Sequence, residues 1–126
     1  MCGARGGKQR AGRALAAHKL TKGGSMFHHV FFWLKNSDDR DALIAGLESL
    51  RAIPQIRALH IGIPAATEQR DVVESGFAVS ELMQFDSPAD QKAYQDHPLH
   101  LRFVEQCGHL WSRVVVYDVE PICSSR

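Results

Sequence analysis

Residues 27–35 read FHHVFFWLK, and this stretch decides the fold. Aromatic and β-branched residues favour a β-strand, in which successive side chains point to opposite faces. Here both faces are apolar, as in a strand that is covered on both sides, so we predict a central strand. The two sets are Phe27, Phe31 and Trp33 on one face and Val30, Phe32 and Leu34 on the other.

The segment after this strand predicts a helix and then a second strand. Residues 36–39 are polar and acidic, which is typical of a helix start. Leucines follow at helical spacing, and Ile53-Pro54 ends the helix because a residue before proline avoids the α region. Residues 56–63 alternate as a strand, and residues 64–75 read as a loop. The helix leucines are Leu43, Leu47 and Leu50.

A third strand is predicted over residues 77–85, and it carries an acid on its apolar face. Glu81 shares this face with Phe77, Val79, Met83 and Phe85. A carboxylate in that position needs a partner or contact with water. We therefore consider Glu81 either a pocket acid or a partner of Arg57 or Arg113 across the sheet.

Two short helices and a last strand complete the pattern. Ser87-Pro88 is a strong helix start, and His97-Pro98 separates this helix from a second one that reaches Cys107. Gly108 is expected to end the second helix in a left-handed conformation. Residues 113–120 read RVVVYDVE and predict the fourth strand.

The resulting order is β-α-β-β-α-α-β, which predicts an α+β, ferredoxin-like fold with helices on one face of an antiparallel sheet. Helices cover only one face, yet strands one and four are apolar on both. A second copy of the sheet is the simplest cover, and two-fold pairing is the commonest symmetry. We therefore predict a homodimer that forms a dimeric α+β barrel.

The charge of the chain is unevenly distributed between a leader and the body. Residues 1–25 contain six of the 15 basic side chains and no acid, so the other residues carry nine basic and 14 acidic side chains, a net charge of −5. A body of this charge argues against nucleic-acid binding. The leader lacks the apolar core of a secretory signal, faintly resembles a mitochondrial transit peptide, and ends in Gly23-Gly24-Ser25 before Met26.

These features set the expected boundaries and location. We treat residues 1–25 as a flexible basic leader or a remnant foreign to the native protein, in either case outside the fold, 26–122 as the domain and 123–126 as a tail. The longest apolar run is five residues, far below the roughly 18 that a membrane span needs, so no membrane partner is expected. We predict a cytoplasmic protein.

The chain resembles the stress-responsive A/B barrel (Dabb) family over residues 26–122. The resemblance rests on four stretches, namely His29 with VFFWLK, then SGFAVSELMQFDSP, AYQDHPLHLRF and WSRVVVYD. The segment Tyr-x-x-His-Pro-x-His, from Tyr94 to His100, is the most specific of them. The family includes plant stress proteins and the polyketide-folding enzyme olivetolic acid cyclase.

This resemblance implies a cofactor-free site that binds a small apolar or polyketone-like molecule. It implies that Tyr94 and His100 are a catalytic pair and that His29 lines their pocket. A histidine with its pKa near 6.5 can remove a proton next to a carbonyl, and a phenol can stabilise the oxyanion that develops. The remaining candidate pocket residues are His60, Glu81 and His97.

Other interpretations of the same residues stay open. His97 can simply cap the following helix, and Tyr94 can be a helix residue with its hydroxyl at the surface. His97 and His100 could share a metal ion with His28 or His29, but no acid or cysteine completes a known site, so no metal is expected. A non-catalytic binding dimer and a cofactor-free oxygenase are the alternative functions.

Overall fold

Four antiparallel strands form one sheet in the computed structural model, which describes residues 25–123. The predicted leader, apart from Ser25, and the predicted tail, apart from Cys123, lie outside these residues. The strands are β1 (Met26–Leu34), β2 (Ala58–Gly62), β3 (Val79–Phe85) and β4 (Trp111–Val119), in the order β2-β3-β1-β4. The helices are α1 (Arg40–Glu48), α2 (Pro88–Gln95) and α3 (Pro98–Cys107). This confirms the predicted α+β, ferredoxin-like order, with β1 as a central strand.

The core lies between the sheet and the helices. Alternate residues of β1 and β3 are buried, as expected for the sheet face that the helices cover. Leu43 and Leu47 of α1 are fully buried against this face, and Leu50 follows in a 3₁₀ turn. The chain leaves that turn through Ile53, whose extended backbone precedes Pro54 as predicted.

Side-chain caps fix the starts of α2 and α3. The hydroxyl of Ser87 accepts a hydrogen bond from the backbone N–H of Asp90 at 3.1 Å. Nδ1 of His97 accepts one from the backbone N–H of Leu99 at 3.0 Å, and Pro98 occupies the first turn of α3. The capping role considered for His97 is therefore confirmed. Gly108 was expected to be left-handed, but it is right-handed (φ −58°, ψ −27°) because the chain continues into a 3₁₀ turn.

The other face of the sheet is open, and it carries an aromatic cluster. The ring of Phe31 packs edge-on against those of Phe77 and Tyr117, with centroids 5.0 and 6.1 Å apart. The prediction that Phe77 shares a face with Val79 was wrong, because β3 begins only at Val79 and Phe77 packs against Phe31 on the open face. Arg113 stacks on this face over Trp33, 4.4 Å from the ring centroid.

Strand β4 lies at the edge of the sheet and is exposed on both faces. Val114 and Val116 pair with Phe32 and Val30 and so share the helix-covered side, yet both remain partly exposed. Tyr117, on the open face, is 59% exposed. The apolar side chains of β4 are thus uncovered within one chain.

Candidate functional site

The break between α2 and α3 brings Tyr94 and His100 together. Tyr94 is in the last turn of α2, and His100 is in the first turn of α3. On one straight helix a separation of six residues would place them on different faces. The turn at His97-Pro98 redirects the chain, and the two ring centroids lie 4.6 Å apart.

A backbone hydrogen bond fixes the tautomer of His100. Its Nδ1 lies 2.9 Å from the carbonyl oxygen of Gln95, which can only accept, so Nδ1 carries the proton. In the neutral ring the lone pair is then on Nε2. Burial lowers the pKa of His100, and the hydrogen bond to Gln95 opposes this only in part. The ring is therefore a neutral base at physiological pH.

Tyr94 is a core residue and not a surface one. Its side chain is 1% exposed and packs on Phe85, with centroids 5.2 Å apart. The interpretation that placed its hydroxyl at the surface was wrong. Burial, followed by the charge of Glu81, raises the pKa of Tyr94 well above its ordinary value, so the phenol keeps its proton.

His28, which the sequence interpretation did not select for the pocket, is the strand histidine that faces this pair. It is 6% exposed, and its ring lies 5.8 Å from that of Tyr94. Its Nδ1 is 2.6 Å from Oδ1 of Asp118 on β4. The signal was available, because alternation places His28 on the side of Val30 and Phe32.

His29 and His60 lie on the opposite face from Tyr94 and His100. The ring of His29 stacks on Phe31, with centroids 4.3 Å apart, and burial lowers its pKa. His60 is exposed on β2 and pairs with Leu82. Neither histidine can contribute to one pocket with Tyr94 in a single chain, and the predicted grouping of His29 with the pair is corrected to His28.

Glu81 points into the core on the same side as His28. It is 2% exposed, and its Oε1 has no hydrogen-bond partner among the described residues. The predicted pairing with Arg57 or Arg113 was wrong: Arg57 reaches Asp86 at 3.4 Å, and Arg113 stacks on Trp33. Burial raises the pKa of Glu81 to about 8. We call His28, Glu81, Tyr94 and His100 the core polar cluster.

A separate cavity of about 270 Å³ lies on the open face. Its walls are the aromatic residues of that face, and Glu74 and Arg113 contribute the charges. It does not include the core polar cluster. Within residues 25–123, no three His, Cys, Asp or Glu side chains are placed to hold a metal ion. None of the helices in the same part of the chain is long and apolar enough to cross a membrane.

The fold is shared with several solved structures at low sequence identity. A hydroxynitrile lyase from Passiflora edulis matches 82% of this chain and 98% of its own, with a TM-score of 0.66 and 23% identity. A dimeric ferredoxin-like protein from Thermobifida fusca matches 79% of this chain and 94% of its own, with a TM-score of 0.63 and 19% identity. A putative antibiotic biosynthesis monooxygenase from Chloroflexus aurantiacus matches 80% of this chain and 97% of its own, with a TM-score of 0.59 and 18% identity.

No curated protein matches the chain in sequence. The model of one protein family does match, and its description is stress responsive A/B barrel domain, or Dabb. The match covers residues 26–121, which is most of the chain and includes all strands and helices within residues 25–123. The chain therefore belongs to the stress responsive A/B barrel (Dabb) family.

Proposed function

We propose that the protein is a homodimeric enzyme that binds a small, apolar ketone or polyketone and moves a proton next to its carbonyl group. One observation carries the proposal: the ring of the buried Tyr94 and the ring of the half-buried His100 lie 4.6 Å apart. One ring is a neutral base with its lone pair on Nε2, and the other is a phenol that keeps its proton. These are the two groups that enolisation requires.

The reaction begins with proton removal. Nε2 of His100 takes a proton from the carbon next to a ketone, and the electron pair of that C–H bond forms the enolate. The hydroxyl of Tyr94 donates a hydrogen bond to the enolate oxygen. Return of a solvent-derived proton to the same carbon completes an exchange, and in a β,γ-unsaturated ketone its return to the γ carbon shifts the C=C bond and completes an isomerisation. In a polyketone, the enolate carbon instead attacks a second carbonyl, a C–C bond forms, and the new alkoxide takes the proton from His100.

His28 extends this site on the strand side. The Asp118 carboxylate accepts a hydrogen bond from Nδ1–H of His28, which fixes the orientation of the ring beside Tyr94. An oriented imidazole can bind a second oxygen of the substrate. A polyketone has such an oxygen, whereas a simple ketone does not.

A second copy of the chain is the proposed cover for the open face. Phe31, Phe77 and Tyr117 form an apolar surface there, and Val119 extends it along β4. Exposed apolar patches of this kind mark interaction sites. The similar protein from Thermobifida fusca is described as dimeric.

A non-catalytic binding protein is the alternative that one observation favours. Tyr94 and Glu81 are almost completely buried, which is also what a filled core would show. The two proposals differ in one measurable respect, because only the enzyme exchanges protons with its ligand.

The test is deuterium exchange at the methylene carbon of phenylacetone in D₂O, followed by proton NMR with the full chain. We expect exchange above the buffer rate, with a loss of about 10²–10⁴-fold in His100→Ala. Tyr94→Phe should keep the ring packing and lower the rate. His60→Ala is the matched control, since His60 is an exposed histidine on the other face.

Three outcomes would contradict the enzyme proposal. Equal exchange by wild type and His100→Ala would remove the catalytic role. Binding of phenylacetone without exchange would favour the non-catalytic binding protein. Oxygen consumption with a hydroquinone, unaffected by His100→Ala, would favour an oxygenase instead.

A further inference from the structure

Glu81 stands out in the core because no basic side chain among residues 25–123 forms an ion pair with it. The described buried core contains only two polar residues, His28 and Glu81. His28 has a carboxylate partner, whereas Oε1 of Glu81 has no hydrogen bond within residues 25–123. Burying a polar group without a partner is unfavourable, so such a group in a native core calls for an explanation.

The position of Glu81 places it within the core polar cluster. In the sheet, it lies opposite Val30 of β1 and Ile61 of β2. His28 is two residues from Val30 on the same face, so it is the diagonal neighbour of Glu81 across the strands. Tyr94 is close enough that the charge of Glu81 contributes to its raised pKa.

The surroundings of Glu81 favour the neutral acid. The pKa of Glu81 is raised to about 8 by burial, so near neutral pH the carboxyl group carries a proton that it can donate. Tyr94 donates as well. The cluster therefore offers hydrogen-bond donors to a ligand and, among its described residues, contains no lysine or arginine.

We infer that Glu81 is a substrate-binding acid of this site, which donates a hydrogen bond from its neutral carboxyl group to a carbonyl oxygen of an uncharged ligand. Because these donors carry no fixed positive charge, they suit an uncharged polyketone better than a ligand that carries a carboxylate. A cationic ligand would be bound by the ionised form instead. This inference rests on the proposed function, because it places a second oxygen of the same substrate beside Tyr94.

The pH dependence of binding isolates Glu81 from the groups that face it. The other titratable side chains in or next to this part of the core are His28 on β1, Tyr94 on α2, and His100 and Cys107 on α3, and Asp118 of β4 pairs with His28. The pKa of His100 is lowered, and those of Tyr94 and Cys107 are raised. A change in phenylacetone binding at about pH 8 that is absent in Glu81→Gln therefore belongs to Glu81.

The experiment is an NMR titration of the full chain with phenylacetone and 1-phenylbutane-1,3-dione, each ¹³C-labelled at its carbonyl carbons. In the wild type we expect a downfield shift of one bound carbonyl and an affinity for phenylacetone, which does not ionise in this range, that falls as pH rises through about 8. Glu81→Leu removes the donor, and loss of one hydrogen bond should weaken binding about tenfold at neutral pH. Glu81→Gln keeps a donor that does not titrate, so its affinity should not change across the same range.

The outcomes separate this inference from the proposed function. Equal affinity of wild type and Glu81→Leu, or a change at about pH 8 that persists in Glu81→Gln, would overturn the role of Glu81 alone. If His100→Ala keeps full exchange while Glu81→Leu binds weakly, the role of Glu81 stands and the proposed catalysis does not. Failure of the wild type to bind either ketone would overturn both. Glu81→Gln keeps the inference testable should the leucine variant fail to fold.

Discussion

Nδ1 of His28 lies 2.6 Å from Oδ1 of Asp118, a residue that follows 90 positions later in the chain. The two residues are directly paired across β1 and β4, so the sheet register places them together. Strand β4 is exposed at the sheet edge, yet it supplies the group that orients a buried histidine beside Tyr94. The edge strand thereby becomes part of the candidate site.

The first prediction concerns this hydrogen bond. Replacing Asp118 by Ala leaves Nδ1 of the buried His28 without its partner. Because the Asp118 side chain is 51% exposed, we expect a modest loss of about 1 kcal/mol in the free energy of unfolding. Urea denaturation measures it. Glu120→Ala removes an exposed acid near the same strand end and should change the free energy of unfolding little. A loss equal to that of Asp118→Ala would show that net charge, and not the hydrogen bond to His28, causes the effect.

The second prediction concerns the pH dependence of phenylacetone exchange. The base form of His100 is neutral, and burial lowers its pKa below the ordinary value of 6.5. With phenylacetone at saturation, the rate should therefore stay constant as pH falls to about 6.5 and decline only below it, because protonation then removes the lone pair on Nε2. Exchange rates measured from about pH 5 to about pH 8 give the profile. A decline that begins above the ordinary value would show that the acting base is not His100 in this environment.

Much of this architecture follows from local sequence patterns. Three features each have a short-range physical cause, and each is confirmed. They are the strand around Phe31 that is apolar on both faces, the helix cap at Ser87 and the helix break at His97-Pro98. The contact of Tyr94 with His100 also depends on a local turn. Its function as a catalytic pair remains a prediction.

Features that depend on register or burial were harder to predict. The partner of His28 is set by the pairing of β1 with β4, which no local pattern specifies. The choice of His29 over His28 ignored alternation along β1, although that information was present. The pairing expected for Glu81 failed because Arg57 pairs with Asp86 and Arg113 stacks on Trp33 on the open face.

The third prediction links Glu81 to stability. Its pKa is about 8 in the folded protein and 4.5 as the ordinary value. Between these values the folded state keeps a proton that the unfolded state loses, so the free energy of unfolding should fall as pH rises, by up to about 1.4 kcal/mol per pH unit. The stabilising effect is complete below about 4.5 and lost above about 8. Glu81→Leu and Glu81→Gln should both lack this slope in urea denaturation. A slope retained in both would assign it to another group.

The fourth prediction concerns the packing of α1 on α3. A Cβ atom at Gly46 would lie 2.5 Å from Sγ of Cys107 and 3.2 Å from the ring of Phe103. Gly46→Ala should therefore lower the free energy of unfolding by about 1–3 kcal/mol, despite the better helix propensity of alanine. Gly108→Ala is the control, since its nearest contact would be an ordinary 3.7 Å to Trp111. Thermal unfolding compares them, and equal melting temperatures would show that Cys107 moves aside freely.

The last prediction tests the proposed dimer through the open face. Tyr117 is 59% exposed within one chain and contacts Phe31, at the centre of the apolar surface. A carboxylate at this position would be buried without a partner between two sheets, so Tyr117→Asp should weaken self-association by at least about 2 kcal/mol, or roughly thirtyfold. Sedimentation equilibrium gives the dissociation constant. Leu101→Asp is the matched control, because Leu101 is similarly exposed but lies on α3, on the other side of the sheet. Dissociation by Leu101→Asp with an intact Tyr117→Asp dimer would place the interface on the helices, and a monomeric wild type would exclude the dimer altogether.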